Sequence, residues 1–284
     1  MNFRPKRVGW AKSLDRFEPR PVYMALFILF FDIGNTTIKV GVARDGNEPV
    51  VYTLPTDAGL TADALGLALT AVVRREGLEP EACAACVGCS VVPPVARLVR
   101  GACDRFFGRP LLLAPEDLPI PLENRYARPH EVGADRLVGA YAARMLFPEP
   151  ESLICVDYGT ATTFDCVTGN AYLGGLICPG VLSSAQSLSS RTAKLPQVDL
   201  EVDVDRPEPG KSTPQSLSHG FVFGFAAMTE GLCARLAEGL PGTTLVVGTG
   251  GFAASLAKVA RCFDALRPNL LMEGLRLLYQ TTHR

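Results

Sequence analysis

"ILFFDIGNTTIKVGV", residues 28–42, carries an apolar run straight into an acidic side chain, Asp32, and then into a small, hydroxyl-bearing turn. Desolvating even a neutral polar group without a partner costs roughly 2–7 kcal/mol, so a carboxylate at the end of a buried strand needs a partner. Gly34, Asn35, Thr36 and Thr37 leave backbone N–H groups and two hydroxyls free to face an anion. Beyond them "TIKVGVA" alternates polar and apolar as a half-buried strand does. The unit reads as a β-hairpin whose tip suits a phosphate, with Asp32 placed to hold a cation beside it.

A single hairpin of this kind commonly does no more than join two strands. The chain repeats it. "SLICVDYGTATTFDCVTGN", residues 152–170, runs an apolar strand into Asp157, Gly159, Thr160, Ala161, Thr162 and Thr163, followed by another alternating stretch. Both copies share Asp-Xaa-Gly-[Asn/Thr]-[Thr/Ala]-Thr and lead through a Gly-containing turn into a third extended segment. One phosphate turn in each half of the chain predicts two similar lobes closing on one polyphosphate from opposite sides.

The rest of the chain fits that frame. At 284 residues with 48% hydrophobic content it can build two modest cores, and a net charge of -1 gives no sign of a nucleic-acid partner. Residues 1–23 hold six basic residues without apolar periodicity and read as a disordered extension. Translation starting at Met24 would remove it. "VYMALFILFF" falls short of the ~20 residues that cross a bilayer, which favours a strand over a membrane or targeting segment. In "CAACVGCS" the spacing of Cys83, Cys86 and Cys89 matches metal or iron–sulfur ligands, but no fourth ligand accompanies them. A buried strand using Cys as a small hydrophobe is the better reading. With the other cysteines scattered singly, the expected compartment is the reducing cytoplasm.

Periodicity places a third strand at 48–55, a helix at 61–77, a strand at 85–93, a helix at 94–108 and a strand at 109–115, an α/β pattern. The second half adds helices near 216–239, 251–263 and the C-terminus. "GTGG", residues 248–251, lacks the Gly-Xaa-Gly-Xaa-Xaa-Gly spacing and reads as a strand-to-helix turn suited to contacting adenosine. Between the hairpins, "NRYARPHEVGADRLVGAYAARML" turns helical from Ala134, which sets Asp135 in a first turn where the helix dipole favours a negative charge. Asp135 and Arg136, adjacent on the helix, point different ways, so one can face a substrate hydroxyl and the other an anionic group.

From about Leu26 to Tyr279 the sequence resembles the type III pantothenate kinases, also described as Bvg accessory factor-like, within the hexokinase, Hsp70 and actin superfamily. The resemblance rests on "DIGNTTIK", "NRYARPHEVGADR", "VDYGTATTFD", "YLGGLICPGV", "RTAKLP", "STPQSLSHG", "GTGGFA" and "LMEGLRLLY". It implies an α/β fold of two RNase H-like lobes, the actin-like ATPase fold, with a nucleotide cleft between residues 24–148 and 149–284. It also implies transfer of the γ-phosphoryl group of ATP to pantothenate, the first step of coenzyme A synthesis. Asp32, Ile33, Gly34, Asn35, Thr36, Thr37, Ile38, Lys39 and Thr160 would bind ATP. Tyr126, Gly133, Ala134, Asp135, Arg136 and Thr192 would hold pantothenate, with Asp135 accepting the hydroxyl proton. Asp157 would bind potassium or ammonium, magnesium would arrive with the nucleotide, and a homodimer would complete the pocket.

Phosphoryl transfer depends on positioning and on screening charge over the phosphoryl oxygens, so N–H turns, Thr hydroxyls and cations are suitable equipment. His130, His219 and His283 lie far apart in the sequence, without ligand spacing. Arg128 stands where the family pattern leads one to expect a small polar residue. Two rivals share the fold: a kinase for another small alcohol or acid, and a nucleotide-binding regulator without catalysis, for which Asp135 would be superfluous.

Overall fold

The computed structural model describes residues 25–44, 47–57, 59–190, 196 and 198–283, so the basic extension, Met24 and Thr192 lie outside the described residues. β1 (Phe27–Ile33), β2 (Thr37–Arg44) and β3 (Val50–Pro55) form an antiparallel meander. α1 (Ala62–Arg75), β4 (Cys83–Ser90), α2 (Pro93–Phe107) and β5 (Leu111–Ala114) follow, with β4 parallel to β1 and β5 parallel to β4. The sheet order is β3-β2-β1-β4-β5. Thr61 caps α1 by accepting from the Ala64 N–H at 3.2 Å.

After β6 (Glu123–Asn124) and α3 (Ala134–Leu146) the pattern recurs. β7 (Ser152–Tyr158), β8 (Ala161–Thr168) and β9 (Ala171–Pro179) form the meander. α4 (Val181–Ser190) and α5 (Thr213–Glu238) lead to β10 (Thr244–Gly250), and α6 (Ala253–Leu256) to β11 (Ala265–Leu266). The order β11-β10-β7-β8-β9-β6 is the first sheet's arrangement with one short edge strand added. The two similar lobes expected from the repeated hairpins, with the RNase H-like architecture that the resemblance implies, are therefore present. Helix 251–263 is shorter than its periodicity suggests. Only Ala253–Leu256 is α-helical, and Glu230 on α5 captures the Arg261 N–H at 2.7 Å, drawing the chain away from further helical bonding.

β1 is apolar from Phe27 to Phe31, ahead of Asp32, because both its faces are covered. Phe27, Leu29, Phe31 and Ile33 pack with Leu65 and Leu69 of α1 and Val99 of α2, whereas Phe30 packs with Val138 and Tyr141 of α3 and with Met272 and Leu275. Those last two belong to the closing helix α7 (Leu270–Thr282), which returns to the first sheet. α3 serves both lobes. Val138 and Tyr141 enter the first lobe's core, while Leu137 and Ala140, about 100° round the helix, enter the second with Leu153 and Cys155 of β7. Cys83, Cys86 and Cys89 are buried on β4 as small apolar residues. A bulge opposite Phe27/Ile28 breaks the alternation, so Cys83 and Cys86 share one core, with sulfurs 3.9 Å apart, and Cys89 joins the other.

α3 and α7 cross at Gly274, where a Cβ would lie 2.6 Å from the Val138 carbonyl oxygen. Helix propensity alone would make Gly274→Ala stabilising by roughly 0.8–1.0 kcal/mol. The crowding instead predicts a net loss of about 1–3 kcal/mol, read as a lower denaturant midpoint; an increase would show that the two helices separate at no cost.

Candidate active site

Each central strand ends in the carboxylate that its motif predicts. Asp32 pairs across the first hairpin with Lys39, whose Nζ lies 3.5 Å from Asp32 Oδ2. Asp157 occupies the matching place in the second lobe but pairs with Thr163. The second turn is one residue shorter, closing at Tyr158 and Thr162, whereas the first closes at Ile33 and Ile38. The two tips meet: Thr36 Oγ1 and Thr160 Oγ1 are 3.1 Å apart.

Both turns are braced from the end of the third strand of their lobe. Thr56, following Pro55, donates its hydroxyl to the Gly34 carbonyl at 2.8 Å, and its N–H reaches the Thr36 carbonyl at 2.9 Å. Gly180, following Pro179, lies so close beneath the second turn that a Cβ would sit 2.1 Å from the Thr160 oxygen, and Ser183 donates to that oxygen at 2.8 Å. Within the stretch expected to bind ATP, the side chains of Ile33 and Ile38 are buried in the first core, so those two residues offer a ligand their backbone alone.

Asp135 lies in the first turn of α3, where its Oδ1 accepts the Arg136 N–H at 2.8 Å. Gly133 makes room for it, since a Cβ there would stand 2.3 Å from that oxygen. The charge of Asp135 reaches both Asp32 and Asp157, so three carboxylates converge on one region with Lys39. Burial holds Asp32 above the ordinary carboxylate value, opposed by Lys39 and reinforced by Asp135. Burial also pushes Asp157 up to about 6, against the pull of Lys39. Asp157 Oδ1 is buried without a hydrogen-bond partner, and left-handed Gly250 (φ +88°) packs against it, where a Cβ would come within 2.3 Å. A lone buried carboxylate oxygen of this kind suits a cation.

Arg136 faces Asp165 on β8, a residue the motif contains but its spacing does not single out. Its Nε donates to Asp165 Oδ1 at 2.8 Å and Nη2 lies 2.7 Å from the same oxygen. Burial opposes the guanidinium charge and Asp165 more than offsets it, leaving Arg136 above its ordinary value. Tyr126 lies against Gly174, where a Cβ would be 3.1 Å from its ring. Arg128 is at the surface, in an ion pair with Glu131 at 2.9 Å. Thus Asp32, Asp157, Asp135, Thr36 and Thr160 come together. Thr56, Asp165 and Gly180 were missed, because their part depends on cross-strand register rather than on local motif, and Gly250, singled out in the sequence for adenosine, packs against Asp157 instead.

A sequence model of the type III pantothenate kinases matches residues 28–235. A type III pantothenate kinase of Nitratidesulfovibrio vulgaris (strain DSM 19637 / Miyazaki F) is 62% identical over 256 residues, which cover 90% of this chain and 98% of that protein. A type III pantothenate kinase of Lawsonia intracellularis is 48% identical over 254 residues, covering 88% and 94%. Among solved structures, a Baf family protein of Campylobacter jejuni has a TM-score of 0.53 at 18% identity, covering 89% of this chain and 98% of that one, a likeness of fold.

Because the Asp157 carboxyl is raised in the folded protein, the stability it contributes is complete below its unfolded value of 3.8 and is lost as pH rises through about 6. Without potassium or ammonium, thermal melts are expected to show Asp157→Asn stabilised at pH 8, by at most roughly 3 kcal/mol, and little changed near pH 4. A gain independent of pH would mean that the carboxylate is not strained by burial.

Proposed function

The chain belongs to the type III pantothenate kinase family, and we propose that the two hairpin turns and the first turn of α3 form its active site. The enzyme transfers the γ-phosphoryl group of ATP to pantothenate in coenzyme A biosynthesis. What supports this placement is the 3.1 Å approach of Thr36 to Thr160, which joins the turn tips beside Asp32, Asp135 and Asp157. The lobes divide near residues 148 and 149, with α7 packed back on the first.

In this reading the N–H groups of residues 32–39, the Thr36 and Thr37 hydroxyls, Lys39 and Thr160 cradle the nucleotide phosphates. Gly251, which has nothing within 4 Å of where a Cβ would stand, is open to the adenosine. Tyr126, Gly133, Ala134 and Arg136 line the pantothenate side, and the role of Thr192 rests on the family resemblance alone. Asp135 orients the pantothenate hydroxyl and accepts its proton as that proton becomes acidic. Asp157 holds potassium or ammonium, and magnesium enters with ATP. When bound, these cations supply positive charge beside the polyphosphate.

The enzyme works in the cytoplasm as a homodimer. α5 is long and apolar enough to cross a bilayer by length and composition, and with only 22% of its most apolar window buried it leaves apolar surface for something to cover. Alongside it, Leu182 and Leu188 of α4 are exposed, and an apolar groove runs between the two helices, lined by Ala185, Leu217 and Phe221. We assign this surface to the second subunit rather than to lipid. Leu182→Asp together with Leu188→Asp is expected to shift sedimentation from dimer to monomer; a monomeric parent would overturn the assignment.

The central test is pantothenate-dependent ADP release with and without potassium. Asp135→Asn is expected to lower kcat by roughly 10²–10⁴-fold, with folding retained by circular dichroism. Nucleotide binding without ADP release in any condition would make the chain a regulator instead.

A further inference from the structure

Asp165 lies beneath Arg136 with both its oxygens occupied. Oδ1 receives Arg136 Nε at 2.8 Å, lies 2.7 Å from Arg136 Nη2 and receives the Tyr172 hydroxyl at 2.8 Å; Oδ2 accepts from Thr163 at 3.1 Å. Thr163 is also the cross-strand partner of Asp157. A continuous line of contacts therefore runs from the second phosphate turn through β8 to the helix turn that carries Asp135.

Sheet geometry explains how an ion pair fits inside a lobe. Asp165 stands directly opposite Gly175 on β9, where a Cβ would be 3.1 Å from Arg136 Nη2 and would run into the Phe164 backbone. Glycine at this position leaves the guanidinium its path over the strand. One residue earlier, Gly174 adopts φ +114°, and the register shifts between Cys166 and Val167, so Leu173 is the extra residue of a bulge. The bulge sets Tyr172 opposite Val167 while its hydroxyl reaches Asp165. The Tyr126 ring then covers Gly174.

We infer that Asp165 is a positioning residue: by accepting from Arg136 Nε, with Nη2 in ion-pair contact at the same oxygen, it fixes the guanidinium with its other edge turned to pantothenate, and it ties the first turn of α3 to the second-lobe hairpin. A free arginine samples many rotamers, whereas one held along one edge by a buried carboxylate presents its remaining N–H groups in a single orientation. Asp165 itself is 4% exposed, so in this reading it acts through Arg136 rather than on substrate. This inference rests on the proposal that Arg136 faces pantothenate.

The test is steady-state kinetics on the dimeric enzyme, varying pantothenate and ATP separately, for Arg136→Lys, Asp165→Asn, Tyr172→Phe and the Arg136→Lys/Asp165→Asn pair. Asp165→Asn is expected to raise the pantothenate KM by about 10-fold or more while the ATP KM stays within about two-fold. Tyr172→Phe, which keeps the Asp165 charge and the ring, is expected to give a smaller rise in the same direction and reads the tether even if Asp165→Asn fails to fold. The double variant should be no worse than the poorer single one, because both remove the same interaction. Unchanged pantothenate KM in Asp165→Asn and Tyr172→Phe, with a raised one in Arg136→Lys, overturns the tether alone, as do additive effects in the pair. Unchanged pantothenate KM in Arg136→Lys overturns the substrate role of Arg136 and the tether with it.

Discussion

Three carboxylates facing one lysine set the terms for the rest of this fold. Burial raises the cost of ionising Asp32 and Asp157, the neighbouring carboxylates add to it, and Lys39 opposes it for both. Such a cluster is tolerable where N–H groups, hydroxyls and incoming cations are aimed at the same region, and the two hairpin turns supply the first two. The bracing of both turns from the third strand of their lobe follows. A loop that holds charge in a fixed arrangement must itself be held, and Thr56 in one lobe and Gly180 with Ser183 in the other do this.

The second consequence concerns α3. Asp135 has to stand between two turns that belong to different lobes, so its helix cannot belong to one core alone. Adjacent stripes of the same helix enter both cores, and α7 returns from the C-terminus to close the first. The close crossing at Gly274 packs α7 directly on the helix that carries Asp135.

Much of this was legible in the sequence because it is written in local chemistry. The Asp-Xaa-Gly-hydroxyl turns, the apolar run of β1 and the periodicity of α1 all signal within a few residues, and repetition of the turn signalled two lobes. Cross-strand facts were not legible. The three-residue spacing of Cys83, Cys86 and Cys89 imitates a ligand set, and only the bulge opposite Phe27/Ile28 reveals two residues of one core and one of another. Asp165 is hidden for the same reason: nothing near it in sequence announces Gly175 across the ladder or Arg136 on a distant helix. The short α6 depends on Glu230, which is far away in the chain.

The repeat is informative where it fails. The two lobes share strand order, the strand-end carboxylate and the bracing of the turn, yet the residue opposite the carboxylate is Lys39 in one and Thr163 in the other. The first carboxylate therefore carries its own counter-charge. The second has a hydroxyl-bearing neighbour already committed to Asp165, and one of its own oxygens is buried without a hydrogen-bond partner. A duplicated hairpin with two lysines would neutralise itself, and one with two threonines would leave both carboxylates dependent on solvent ions. With one of each, on the proposed reading, the first lobe holds phosphate with an intrinsic charge and the second is left in need of an exchangeable cation. On the proposed reading, that asymmetry makes a monovalent cation part of the working enzyme rather than a stabiliser of its surface.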